Sequence, residues 1–201
     1  MHAIENDWLG GPDTEGNPQG HPETDPAGHF ARAIETRLAE GRANGWLSEP
    51  EADFVEKAAK ERIPALEGDI PCAVHRDYGP RNWIARPQGG LAGVIDFEHA
   101  VWGLRAMDLG RLSAYTFDDN PRLRDSFFEG YGEVSPDLAA RMEAGRLLHA
   151  LGGLVFGARV EDGAFEGMNR RILRQMMEGS RSHAKKSIKR PVPSKNHSRI
   201  A

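Results

Sequence analysis

The sequence predicts an α+β fold, mainly helical, with a few short strands near the middle that carry its chemically active residues. Three observations lead there. Capped, four-residue periodicity fills the stretch after Asp25; three short apolar runs separated by turn residues follow between 70 and 95; long helical periodicity resumes at Ala106. With 201 residues, 39% hydrophobic and 28% charged, the composition suits one ordinary globular domain.

Residues 1–25 hold Gly10, Gly11, Pro12, Gly16, Pro18, Gly20 and Pro22 among few apolar residues, and read as a loop or disordered leader. Asp25-Pro26 is a helix start, with an acidic cap and proline at the first helical position. Phe30, Ile34 and Leu38 then mark one face, and Gly45 ends the helix. Ser48 followed by Glu51 is a capping-box pattern opening a second helix, with Phe54, Val55, Ala58, Ala59, Ile63 and Leu66 on its stripe. Ile70–Val74, Trp83–Ala85 and Leu91–Ile95 are the apolar runs, the last two joined by the turn residues Arg86-Pro87-Gln88-Gly89-Gly90. Such strands form a short β-hairpin carrying the loop His75–Asn82. Further helices are expected near 106–117, 121–131, 136–160 and 163–178, with Pro121 and Ser135-Pro136 as starts. The domain therefore spans 26–179, and 180–201 reads as a basic, disordered tail.

Several functional classes are excluded. No apolar run reaches the roughly 18 residues that a membrane helix needs, and the first residues lack the basic and apolar regions of a secretory signal. Cys72 is alone, so neither an internal disulfide nor a cysteine zinc site is expected; in an apolar strand it is a buried thiol rather than a nucleophile. A cytoplasmic protein follows. The net charge is −4, yet seven basic residues and no acidic one follow Ser180, leaving 19 basic against 30 acidic residues before them. That acidic body favours a cationic small ligand over nucleic acid. Trp83 and Trp102 flank the central loop without a basic groove and are expected to pack rather than stack on bases.

The chemistry concentrates in His75-Arg76-Asp77-Tyr78-Gly79-Pro80-Arg81-Asn82 and in Val94-Ile95-Asp96-Phe97-Glu98. Phosphoryl transfer to a hydroxyl needs a carboxylate to orient it and accept its proton, oxygen ligands for magnesium, and a stiff frame. Asp77 and Asn82 lie five residues apart across a tight Gly-Pro loop, and Asp96 ends the following strand; the three can share one rim. His75 is expected to support that rim by hydrogen-bonding backbone near Asp96. Singly, each residue has a plainer reading: Asp77 as a turn former, Asn82 as a loop cap, His75 as a satisfied buried histidine. A metal-hydrolase reading of His75-x-Asp77 finds no second histidine pair to support it.

Together, His-x-Asp-x-x-x-x-Asn followed by apolar-Ile-Asp resembles the active-site pattern of protein kinases and the aminoglycoside phosphotransferase family, which includes choline kinase-like small-molecule kinases. Glu98 stands where a protein kinase has the glycine of Asp-Phe-Gly, and Ala-Pro-Glu does not occur downstream. Instead Gly103 and Asp108-Leu109-Gly110-Arg111-Leu112 follow, similar to the small-molecule kinases, as does Phe127-Phe128-Glu129-Gly130-Tyr131-Gly132. The resemblance covers roughly 27–178. It implies the C-terminal lobe of a protein-kinase-like fold, with Asp77 as catalytic base, Asn82 and Asp96 as magnesium ligands, and Asp108 as a structural partner of the catalytic loop. Its implied cofactors are magnesium and ATP, and its acceptor is a hydroxyl on a small molecule. Arg76 departs from the family, where a small residue is usual.

The N-terminal lobe that would grip ATP is not visible. The first lysine is Lys57, within the second helix, and the early glycines lack flanking strands. Two expectations follow: a phosphotransferase whose nucleotide lobe is supplied by further sequence or a partner chain, or a non-catalytic lobe that binds a small ligand or a partner.

Overall fold

The computed structural model describes residues 1–188, with side chains to Ser180. Helix α1 (Pro26–Ala43) starts where Asp25 caps it, its carboxylate accepting the Gly28 N–H at 2.9 Å. Phe30, Ile34 and Leu38 are buried along its inner face. Helix α2 (Glu49–Arg62) starts on the expected box: Glu51 accepts the Ser48 N–H at 3.0 Å and its hydroxyl at 2.8 Å. A tight turn, Ile63–Leu66, replaces the last part of the predicted second helix because Pro64 cannot donate the next helical hydrogen bond.

The strands form two ribbons rather than one hairpin. Strand β1 (Cys72–Val74) pairs antiparallel with β4 (Val101–Gly103), Cys72 facing Gly103. Strands β2 (Trp83–Ala85) and β3 (Leu91–Val94) make the expected hairpin, Trp83 facing Val94. The loop 75–82 thus bridges two separate sheets. Strand β4, three residues with no alternation to announce it, went unread in the sequence.

The first 25 residues have no long element, but they are tied down. Each edge of a two-stranded ribbon leaves backbone groups in need of partners. The leader supplies them: Ala73 N–H bonds the Ile4 carbonyl at 2.9 Å, and Gly10 exchanges bonds of 2.8 and 3.0 Å with Trp102. Leu9 enters the core.

Helix α3 (Arg105–Leu112) continues into a wider π-type segment, Ser113–Phe117, followed by α4 (Pro121–Tyr131), α5 (Pro136–Arg159) and α6 (Gly163–Ile188). Helix α5 is the central post. Leu147, Leu151 and Leu154 are fully buried on it, each contributing about 1.5–3 kcal/mol by burial. Helices α3 and α5 touch backbone to backbone, since a Cβ on Gly145 would stand 1.8 Å from the Ala106 carbonyl oxygen and one on Gly110 only 2.4 Å from the Gly145 carbonyl carbon. Helix α6 runs past the predicted end near 178, as no proline interrupts the chain before Pro191. It thus enters the stretch read as a basic tail, whose remainder, 189–201, lies outside the described residues.

Candidate active site

The loop 75–82 is held from both sides. Beneath it, the fully buried Asp108 of α3 accepts the backbone N–H of His75 and of Arg76, each at 2.8 Å. His2 of the leader reaches the same carboxylate at 3.1 Å and Tyr131 at 2.8 Å. Arg76 is fixed in a left-handed conformation, φ 65°, which a non-glycine residue adopts only when its surroundings impose it. On the other side, His75 Nε2 lies 2.8 Å from the Ile95 carbonyl, and the Phe97 ring packs on the imidazole at 4.6 Å between centroids.

Those contacts bring the three rim residues to one place. Ile95 N–H bonds the Asn82 carbonyl at 3.0 Å, so the loop end and the β3 end meet. Asn82, buried, donates Nδ2 to the Asp77 carbonyl at 2.9 Å and to its carboxylate at 3.0 Å. The amide's oxygen is thereby turned away from Asp77. Asp96 is exposed and left-handed, φ 68°, and its carboxylate has no hydrogen-bond or ion-pair partner among the described residues.

Asp77 itself is clamped. Arg81 bonds both its oxygens at 2.7 and 2.8 Å, and Arg111 of α3 pairs with Oδ1. Burial raises its pKa, but the Arg81 hydrogen bond, the Arg111 charge and the Asn82 amide outweigh it, and the net shift is downward. The group stays a carboxylate at neutral pH. Arg111 stacks its guanidinium over Tyr115 at 4.9 Å. Its part in the site was missed in the sequence, although it stands three residues after Asp108 on the same helical face, a spacing that signals proximity.

Asn82 and Asp96 offer two hard oxygen donors on adjoining backbone, one oriented by its own amide and the other unengaged. Magnesium commonly takes few protein ligands and fills its octahedron with phosphate and water, so this donor set fits it. No group of three or more His, Cys, Asp or Glu is placed to hold a metal alone among the described residues. Beside Asp77 opens a cleft of about 640 Å³, floored by α5 and bounded by α1, α3, α6 and the Gly10-Gly11 turn of the leader. Its floor carries His149, which meets the Met107 carbonyl at 2.7 Å and whose pKa is pushed down to about 4, chiefly by burial and then by the Arg111 charge.

The profile of a phosphotransferase enzyme family matches residues 7–144. Among solved structures, a protein of Thermobifida fusca assigned as a fructosamine-3-kinase aligns with a TM-score of 0.58 at 21% identity, over 87% of this chain and 61% of its own. An APH(2″) protein in complex with GDP and kanamycin gives 0.59 at 20% identity, over 80% and 54%. A thermostable aminoglycoside phosphotransferase of the APH(4) type, bound to AMP-PNP and hygromycin B, gives 0.55 at 19%, over 83% and 56%. At such identities the likeness is one of fold. The chain spans 61% or less of the length of these three proteins. No curated protein matches the sequence.

Proposed function

Because the chain belongs to the phosphotransferase enzyme family, we propose that it forms the acceptor-side lobe of a small-molecule kinase, working with ATP and magnesium on a hydroxyl group. The observation that carries this reading is the meeting of Asp77, Asn82 and Asp96 on one rim, through the Ile95–Asn82 backbone bond and the His75–Ile95 contact. Asp77 would orient the acceptor hydroxyl and take its proton as that oxygen bonds to the γ-phosphorus and the bond to ADP breaks. A lowered pKa suits this role, because phosphoryl transfer asks for positioning more than for a strong base. Asn82 and Asp96 would hold magnesium, which neutralises phosphate charge when bound. Asp108 and His75 keep the loop stiff and do not touch the reactants. The nucleotide contacts beyond this rim would come from sequence or a partner outside the described residues.

One observation favours a second reading, a lobe that binds a ligand without turning it over. Both oxygens of Asp77 are engaged by Arg81, Arg111 and Asn82, which closes the base to a hydroxyl until an arginine moves. Calorimetric titration with a non-hydrolysable ATP analogue separates the two. Magnesium-dependent binding that is lost in Asp96→Asn and kept in Asp77→Asn supports the kinase reading, and so does turnover in the wild type that Asp77→Asn lowers by about 10²–10⁴-fold. Full turnover by Asp77→Asn would remove Asp77 as the base. No binding of nucleotide by the folded chain at any magnesium level favours the second reading.

A further inference from the structure

The cleft beside Asp77 has the opposite sign to the chain. Arg37 of α1, Arg76 and Arg81 of the loop and Arg111 of α3 line it against the single carboxylate of Asp77, a formal +3 within a protein of net −4. Arg81 and Arg111 are occupied by Asp77. The other two have no carboxylate in hydrogen-bond or ion-pair contact among the described residues. Arg76, exposed at the mouth, has no side-chain hydrogen-bond or ion-pair partner among the described residues, and its backbone is pinned by the Asp108 carboxylate. Arg37 donates Nη1 to the Ala33 carbonyl at 2.7 Å, a neutral acceptor. Burial first, and then the Arg76 and Arg159 charges, lower the Arg37 pKa, with Glu40 opposing; His29 is lowered by burial and by Arg76 and Arg37.

Two like charges held in one half-enclosed cleft are costly unless an anion joins them. Arg76 also stands where the family resemblance calls for a small residue, so the charge is a feature of this chain's own cleft. The same cleft has an aromatic wall: Tyr115, under Arg111, and Phe165 stack at 6.4 Å, and Phe156, half exposed, meets Phe165 edge-on at 6.3 Å. The local field, not the acidity of the distant surface, acts on a molecule inside the cleft.

We propose that the acceptor is an anionic hydroxy compound, its carboxylate or phosphate held by Arg76 and Arg37 while its hydroxyl faces Asp77. This rests on the kinase reading for the fate of the hydroxyl, but not for the binding of the anion. A polycationic acceptor would meet four guanidinium groups and one carboxylate already in use.

The test is a charge series of similar size on the full chain: glucose, glucosamine, gluconate and glucose 6-phosphate. Binding is read by tryptophan fluorescence, with Trp102 on the cleft wall, and by ligand-observed NMR. Gluconate or glucose 6-phosphate should bind at least about ten-fold more tightly than glucose, with glucosamine weaker still. Arg76→Gln should remove about ten-fold of that advantage and Arg76→Lys should restore most of it. The carboxylate and the phosphate probes tell which anion the pair prefers. Preference for glucosamine or glucose, no binding of either anion, or anion binding indifferent to Arg76→Gln overturns the proposal. So does competitive displacement of the anions by an ATP analogue whose own affinity falls equally in Arg76→Gln, which would assign the arginines to nucleotide phosphates. Anion binding without any turnover by magnesium-ATP bears on the kinase reading and leaves the anion site standing, and turnover of an aminoglycoside but not of an anion refutes the anionic acceptor alone.

Discussion

Replacing Asp108 by asparagine keeps the shape of the side chain and removes only its charge and one acceptor. In the native site the two carboxylate oxygens receive two backbone N–H groups, Oδ1 from Arg76 and Oδ2 from His75. An asparagine can offer an oxygen to one of them; its amide group must then face the other, donor against donor. The change therefore loses one charge-assisted bond, worth about 1.5–3 kcal/mol, and strands a buried N–H at about 1–3 kcal/mol. With partial relaxation a net cost of about 3–4 kcal/mol is expected. At a urea m-value of about 2 kcal/mol/M the unfolding midpoint would fall by about 1.5–2 M. Deuterium exchange at one of the His75 and Arg76 amides should rise selectively under native conditions, because one of those two hydrogens is released. A midpoint within about 0.3 M of wild type, or unchanged exchange at both amides, would refute the claim that Asp108 anchors the loop.

Three further outcomes follow from the structure. Gly145→Ala should destabilise by about 2–3 kcal/mol or more, since its Cβ would collide with the Ala106 backbone, whereas Gly130→Ala, with nothing within 4 Å in α4, should stabilise slightly; thermal melts of the pair decide it. Fully buried Cys72, its thiol pKa raised to about 11 chiefly by burial, should resist iodoacetamide at pH 8 in the folded chain and react readily in urea; rapid labelling without denaturant would contradict its burial. His149 has its folded pKa pushed below the ordinary 6.5 to about 4, so the unfolded chain takes up a proton between those values that the folded one refuses. Stability from this residue is then complete above about pH 6.5 and declines by about 2–3 kcal/mol as pH falls to about 4. His149→Gln should flatten the urea midpoint between pH 6.5 and 5, and an equally steep decline in that variant would assign the loss elsewhere.

The helices were legible because their signals are local. Asp25-Pro26 and Ser48-x-x-Glu51 are contacts within one turn, and the structure starts α1 and α2 on them. The strands β2 and β3 share that advantage, being joined by a five-residue turn. What could not be read depends on partners far along the chain. Strand β4 exists because β1, about thirty residues earlier, needs an edge, and the leader is ordered by backbone bonds that leave no mark on residue types. In the site, spacing indicated that Asp77, Asn82 and Asp96 could share a rim. It put Arg111, one turn after Asp108, near the loop without showing that it would close on Asp77, and it carried no hint that Arg37, from the first helix, would line the same cleft as Arg76. Net charge is limited in the same way: it averages over the surface, while a ligand meets only the side chains that folding gathers.

The glycine-on-glycine contact of α3 and α5 divides the chain into what must keep its place and what is free to change. Gly110 against Gly145 sets the height of α3 on the central post to within a fraction of an ångström, and with it the reach of Asp108 to the loop and of Arg111 to Asp77. The stretch 113–135 connects α3 to α5 by way of α4. Within it Tyr115 under Arg111 and Tyr131 beside His2 are bound to the site, whereas exposed positions of α4 such as Arg122, Arg124 and Glu129 can be exchanged without shifting the reacting residues, so a lineage could revise that face while inheriting the chemistry unaltered.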